Sequence, residues 1–196
     1  MLYKISEFNV ETLSVSNSKN ATYLQSNNIP FEIQVDWITL GKYPLPSKKY
    51  VTDDAKSLNL TIPISKDDEN YRVLSAIDEH ISKLNLSQNK KYHTLVSEKD
   101  HANGVMGAAD DSYYLKFKLY LDTALFDKDK NRISITSLFD FYQYFKEDTQ
   151  IKIVFSFSKI WRMSNEYGFS MSVRRILLKD KVKEIHENKI SFLDDN

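Results

Sequence analysis

Aromatic and cationic side chains recur at every second position along one stretch of this chain: Tyr114, Lys116, Lys118 and Tyr120. Alternate residues of an extended strand share a face. These four would therefore line one face while Leu115, Phe117, Leu119 and Leu121 line the other. A face of flat rings and ammonium groups has a definite chemistry, because rings stack on planar groups and cations hold phosphates. A second concentration of the same types runs from Lys159 through Trp161, Arg162 and Tyr167 to Arg174 and Arg175, and Tyr43 sits in the lysine-bearing loop GKYPLPSKK at 41–49. Trp161 lies beside a turn, a place that suits a core plug as well as a stacking platform, and the residues alone leave both open. Trp37 alternates with Phe31, Ile33 and Val35, which places it in the core.

Other site chemistries find little support. The four histidines, His80, His93, His101 and His186, form no ligand-spaced pair, and there is no cysteine to serve as nucleophile, thiolate ligand or disulfide partner. Asp127, Asp129 and Asn131 imitate the opening of a calcium loop. Arg132 stands where that loop needs glycine, and Leu138 where it needs the closing glutamate. There is no phosphate-cradling glycine loop and no nucleophile elbow. Asp78 and Glu79 are adjacent, so on a helix they diverge and cannot share a substrate. No acidic cluster suits a two-metal centre. The chain reads as a non-enzyme with no cofactor and no metal.

The elements that must position the aromatic and basic residues are mostly strands. Residues 150–179 hold two of them joined by a turn at 160–168. Ile151, Ile153, Phe155 and Phe157 alternate in the first, and Phe169, Met171 and Val173 in the second. Lys152, Ser156, Ser158, Ser170, Ser172 and Arg174 occupy the opposite face. Residues 5–15 read as an edge strand, 16–30 as a Ser/Asn-rich loop, 31–37 as a strand and 90–96 as another short one. Leu58, Leu60, Ile62 and Ile64 alternate in a strand whose Pro63 marks an edge or an end. Residues 67–86 change period: acidic residues at the start and Leu74, Ile77, Ile81 and Leu84 at helical spacing make an amphipathic helix. Residues 97–112 read as a mobile loop. Ser137 and Asp140 resemble a capping box opening a short helix over about 137–146, with Leu138, Phe141, Tyr142 and Phe145 as its stripe. Strands, helix, strands, short helix and strands in that order lack regular βα alternation. They imply a β-rich α+β fold, most simply a small Greek-key barrel.

The 196 residues, 41% hydrophobic, suffice for one substantial core. We expect a single domain over 1–181 and a charged tail over 182–196. The net charge is zero, so bulk charge alone does not draw this chain to nucleic acid. Its distribution is uneven: residues 113–181 carry 13 basic and 8 acidic side chains, 1–112 carry 12 and 15, and the tail carries 2 and 4. No apolar run approaches the roughly 20 residues that span a bilayer, and MLYKISEFNV has no signal-peptide core. An intracellular protein without membrane contact is expected, and the sequons at Asn20, Asn59 and Asn85 carry no weight.

The run Lys159-Ile160-Trp161 followed by Gly168-Phe169-Ser170-Met171-Ser172-Val173 resembles the C-terminal signature of single-stranded DNA-binding proteins of large nucleocytoplasmic DNA viruses, African swine fever virus and mimivirus-like members among them. Other features agree in order: Phe31–Leu40 with a Tyr-containing loop and the strand 58–64, the helix bearing Leu74 to Glu79, and Leu115 to Leu119 followed by Phe126 to Asn131 and the helix at 137–146. The resemblance spans roughly residues 30–180. It implies an OB-fold core that coats single strands without sequence preference in DNA replication, repair or recombination, within the host cytoplasm or nucleus. Tyr43, Tyr114, Tyr120, Trp161 and Tyr167 with Lys116, Lys118, Lys159, Arg162, Arg174 and Arg175 would then form the DNA-binding set. The acidic tip Asp194-Asp195 would compete for the basic groove or recruit replication proteins. A homo-oligomer or cooperative assembly along the strand stays open. The alternative from another class is a β-rich structural or scaffold protein that binds protein partners.

Overall fold

A computed structural model describes residues 1–18, 21–52, 54–84, 86–87, 89–98 and 113–179. The expected mobile loop falls almost wholly, and the charged tail with its acidic tip wholly, outside the described residues. The N-terminal part contains β1 (Leu2–Lys4), β2 (Leu13–Ser18), β3 (Ala21–Ser26), β4 (Glu32–Gln34), β5 (Ile38–Thr39) and β6 (Leu58–Ile64). Helix α1 (Glu69–Lys83) leads to β7 (Lys91–His93), β8 (Val96–Glu98), β9 (Tyr113–Leu119), β10 (Ala124–Phe126) and β11 (Arg132–Ile133). After α2 (Phe141–Tyr144) come β12 (Gln150–Phe157), β13 (Trp161–Arg162), β14 (Glu166–Gly168) and β15 (Met171–Leu178).

Ten of the strands build one sheet. One edge of β12 pairs antiparallel with β4 and then β5, and the other edge with β15. The far edge of β15 pairs parallel with β9 at Met171↔Phe117 and Ser172↔Lys118, and further on with β10. Strand β9 pairs antiparallel with β6 along its whole length. The segment after β5 then crosses to β6, where the Thr61 N–H donates to the Pro44 carbonyl at 2.8 Å. A Cβ on Gly41 would come 3.2 Å from Cγ of Pro63, so the bare backbone lets that crossing lie against β6. Numbering the barrel strands by sequence (β4/β5, β6, β9, β12, β15), the ladder order is two, three, five, four, one, and the segment after β5 rather than a ladder links one to two. This β-rich α+β architecture is an OB-like Greek-key barrel.

Apolar residues at alternate positions fill the interior. Leu58, Leu60, Ile62, Leu115, Phe117, Leu119, Ile151, Ile153 and Phe155 are all buried. The Phe117 and Phe155 rings meet edge to face at 5.2 Å, and contacts continue through Phe157 and Phe31 to Phe8. Helix α1 covers one end of this core with Leu74, Ile77 and Ile81. Asp68 caps it by accepting from the Asn70 N–H at 2.7 Å. The expected capping box is present: Ser137 accepts from the Phe139 N–H, and Asp140 accepts from the Ser137 N–H. Leu138, Phe141 and Phe145 are buried beneath it. Among the described residues no helix is long and apolar enough to cross a membrane.

Several expectations fail for local reasons. Residues 5–12 form two single helical turns and only 13–15 of the expected strand are extended, as the start of β2; the Asn9 side chain accepts from the Glu11 N–H and diverts the backbone of the second turn from a ladder. The Ser/Asn-rich stretch expected as loop contains the β2–β3 hairpin, whose Leu13, Thr22, Leu24 and Ser26 are buried. Of the expected strand 31–37 only Glu32–Gln34 forms. Burial moves from odd positions, Ile33 and Val35, to even ones, Ile38 and Leu40, leaving Trp37 40% exposed instead of in the core. Leu121 lies past the end of β9 and is exposed. In β15 the register slips between Val154 and Phe155 of its partner, so Arg174 is an extra residue. That slip turns both Arg174 and Arg175 outward, while Ser172, expected on the polar face, is buried.

The Phe117–Phe155 contact should be the costliest to remove. Phe155→Ala is expected to destabilise the fold by about 3–5 kcal/mol, read as a fall in the urea midpoint with an unchanged m-value.

Candidate nucleic-acid interface

The outer face of β6 and β9 is polar where the inner face is apolar. Register places Asn59 opposite Lys118, Thr61 opposite Lys116 and Pro63 opposite Tyr114. Lys116 is exposed with its ammonium 5.2 Å from the centre of the Tyr114 ring. Tyr120 ends this row at a tight turn in which Thr123 Oγ1 accepts from the Tyr120 N–H at 3.0 Å and donates to the Val173 carbonyl at 3.2 Å. The row is thereby tied to the neighbouring β15.

Above one end of this face stands the β12–β15 connection. It was expected as a simple turn, but it is a three-stranded ribbon: β13 pairs antiparallel with β14, and β14 pairs parallel with β7. At its root the Ser158 N–H donates to the Ser170 carbonyl at 2.8 Å, and the Ile160 N–H to the Thr22 carbonyl of the N-terminal hairpin at 2.8 Å. At its tip the Lys91 N–H donates to the Asn165 carbonyl at 2.9 Å. Between ribbon and sheet face lies a groove of about 460 Å³. It gathers Lys116, Lys118, Tyr120, Lys159 and Trp161 from two regions of sequence. Ring, cation and hydroxyl thus converge in one open channel, with Ser158 and Ser170 also on its wall.

The other expected site residues are placed differently. Tyr114 lies on the same sheet face, one register step beyond Lys116. Arg162 is exposed on the ribbon and reaches the Leu86 carbonyl at 3.5 Å. Tyr43 is 60% exposed on the loop between β5 and β6, with the Lys42 ammonium 5.6 Å from its ring centre. Tyr167 is only 2% exposed and packs against Tyr92 at 5.5 Å, so its ring belongs to the core of the ribbon and is not presented to a ligand. Arg174 donates to Ser156 Oγ at 2.9 Å, and Arg175 pairs with Glu32 at 2.6 Å. Both stand on the outer face of β15 away from the groove, where the register slip puts them. Trp37 also lies elsewhere, with the Lys152 and Lys179 ammonium groups 5.1 and 5.8 Å from its ring centre.

Two further residues, one on the groove wall and one on the loop between β5 and β6, were not legible as candidates. His93, from β7, stands beside Trp161 with ring centres 5.6 Å apart and edge to face, and its Nδ1 lies 3.6 Å from Glu166. Tyr50, 74% exposed with the Lys49 ammonium 4.8 Å from its ring centre, shares the loop of Tyr43. Neither sits in an alternating pattern that would flag it. The Tyr-and-Lys content of 42–50 was the available signal for Tyr50.

Asp78, set aside above only as unable to share a substrate with Glu79, is 7% exposed. Its oxygens accept from the Leu95 N–H at 2.8 and 3.0 Å, the Val96 N–H at 3.0 Å and the Tyr92 hydroxyl at 2.8 Å. These bonds fasten the β7–β8 corner, part of the groove wall, to helix α1. Burial pushes the Asp78 carboxyl up to about 6, against the pull of those donors. Burial first and then the Asp78 charge push the Tyr92 hydroxyl well above its ordinary range. Asp127, the head of the calcium-like stretch, instead organises its own turn by accepting from the Asp129 and Asn131 N–H groups at 2.9 and 2.8 Å. Among the described residues no group of three or more His, Asp or Glu is arranged to hold a metal ion.

The sequence matches no protein-family model and no curated protein. Solved structures do resemble the chain. A C-terminally truncated single-stranded DNA-binding protein from bacteriophage Enc34 superposes with a TM-score of 0.52 at 12% identity, covering 88% of this chain and 98% of that one. The Enc34 protein in complex with single-stranded DNA superposes with a TM-score of 0.51 at 14% identity, covering 87% and 97%. At such identities the likeness is one of fold. These neighbours are phage proteins rather than proteins of the large DNA viruses that the sequence motifs resemble.

Because the folded carboxyl of Asp78 titrates above its ordinary 3.8, the stability it contributes is full below about pH 4 and is lost as pH rises through about 6. Relative to Asp78→Asn, the wild-type protein should therefore lose about 2–3 kcal/mol between pH 4 and pH 7. Urea unfolding at each pH checks this, and a pH-independent difference would contradict it.

Proposed function

We propose that the chain binds single-stranded DNA without sequence preference and acts by coating and protecting the strand, not by catalysis. The observation that carries this reading is the convergence of Lys116, Lys118, Tyr120, Lys159 and Trp161 on one groove. A single strand offers bases that stack on any ring and phosphates that any cation can hold. The place of the groove agrees, since OB-folds bind oligonucleotides on the face of their second and third strands between the loops joining strands one to two and four to five. Here those are the β6–β9 face, the loop 41–57 with Tyr43, and the ribbon 158–170. The fold likeness to phage single-stranded DNA-binding proteins, one of them solved with single-stranded DNA, supports the same reading.

In this mechanism Trp161 and Tyr120 stack bases, with Tyr114 and Tyr43 extending the track. Lys116, Lys118 and Lys159 hold phosphates, and Arg162 takes a flanking one. Arg174 and Arg175, outside the groove, serve a strand that continues around the barrel. A role in replication, repair or recombination follows from protecting exposed strands. The acidic tip Asp194-Asp195 competes with DNA for the groove or recruits replication partners.

Fluorescence anisotropy with labelled oligo-dT of about 30 nucleotides, longer than the usual ~4–16 per OB-fold, is the direct test. Binding should weaken steeply between about 50 and 200 mM salt, and the Lys116→Gln/Lys118→Gln double variant should lower the logarithmic salt slope by roughly 1.4. Failure to bind at low salt would return the protein to the scaffold class. Deleting residues 190–196 should tighten binding if the acidic tip competes, and an unchanged affinity would remove that role.

A further inference from the structure

Trp161 does not hang free over the groove. It pairs across the ribbon with Gly168. A Cβ at position 168 would lie 2.8 Å from Cζ2 and 3.2 Å from Cε2 of the indole, and 3.0 Å from the His93 carbonyl oxygen. Real Cβ atoms essentially never approach below 3.0 Å. Gly168 also has no left-handed φ that would demand glycine for backbone reasons. Space alone therefore demands glycine here: the indole lies flush on the bare backbone of β14, and β7 closes in behind. His93 meets the indole edge to face at 5.6 Å. Trp161 as a whole remains only half-buried on the groove wall. The strand beneath is itself held, because β7 adjoins the corner that Asp78 fastens to α1.

We infer that Gly168 is a positioning residue for nucleic-acid binding: it seats the Trp161 indole as a preset platform that meets a base without reorganising. This role rests on the single-strand binding proposed above. A flat ring laid on a flat surface cannot rock about its own plane, and a β-strand backbone without a Cβ supplies such a surface. A ring already immobilised loses little side-chain freedom when a base arrives. Adding one methyl at 168 must lift or turn the indole, or part β14 from β7, and the seat is lost either way.

The test uses the full chain with Trp37→Phe, which leaves Trp161 as its only tryptophan. Without DNA, Gly168→Ala should raise acrylamide quenching of Trp161 fluorescence and shift its emission. Unchanged quenching and emission would overturn the seat whatever the protein binds. With oligo-dT, Gly168→Ala should weaken binding about tenfold, on the scale of losing one base–aromatic stack. The same substitution in a Trp161→Ala background should then cost almost nothing further, because the seat has no occupant. An equal loss in both backgrounds would mean that Gly168 acts through general ribbon structure, and would overturn the inference. Should the Trp37→Phe parent fail to bind oligo-dT at low salt, the proposed function falls, and the quenching comparison still decides the seat by itself.

Discussion

A sheet with one apolar face must hide that face from water, and with little helix available this chain does so by rolling the sheet up. Closure depends on the parallel contact of β9 with β15, where Phe117 stands beside Met171 and Lys118 beside Ser172. Inside the barrel that pairing brings Phe117 against Phe155. Outside, it brings the lysine row of β9 beside the root of the 158–170 ribbon. Core and groove are two faces of one pairing, so the register that buries the phenylalanines also sets the positions of the lysines.

The groove owes its second wall to a different kind of constraint. A thirteen-residue connection between antiparallel strands would ordinarily be soft. Here it gains a third strand from the segment after α1, and that segment is held by a buried carboxylate. Asp78 accepts two backbone N–H groups and a phenol where water cannot reach, and bonds of this charge-assisted kind are strong. The cost is visible in its raised pKa. The helix therefore contributes to the site without placing any side chain in it, by anchoring the wall that carries Trp161 and His93.

Much of the barrel was legible in the sequence because its signals are local. Alternation in 58–64, 113–119 and 150–157 follows from a strand's two faces, and the α1 stripe and the Ser137–Asp140 box follow from helix geometry. The β2–β3 hairpin was not legible, because Ser and Asn favour loops by bonding their own backbone. Here the ladder and the burial of Leu13 and Leu24 outweigh that preference. Trp37 was misplaced, and Arg175 joins Arg174 on the outer face, for one shared reason: a single irregular residue reverses which face the following residues occupy, and period-two reasoning assumes no such residue.

By itself the sequence determined which residues could stack or neutralise, since ring and charge are properties of the side chain. It also determined which strands would turn those residues outward. Only the tertiary structure decided which of them meet. Lys116, Lys118 and Tyr120 reach Lys159 and Trp161 across some forty residues because β9 and β15 pair in parallel, a contact no local pattern encodes. Tyr167, of the same type and only six residues from Trp161, is buried instead because β7 arrives from the far side of α1 to cover it. Long-range pairing converts side-chain chemistry into a site, and its register depends on how the whole apolar face is hidden.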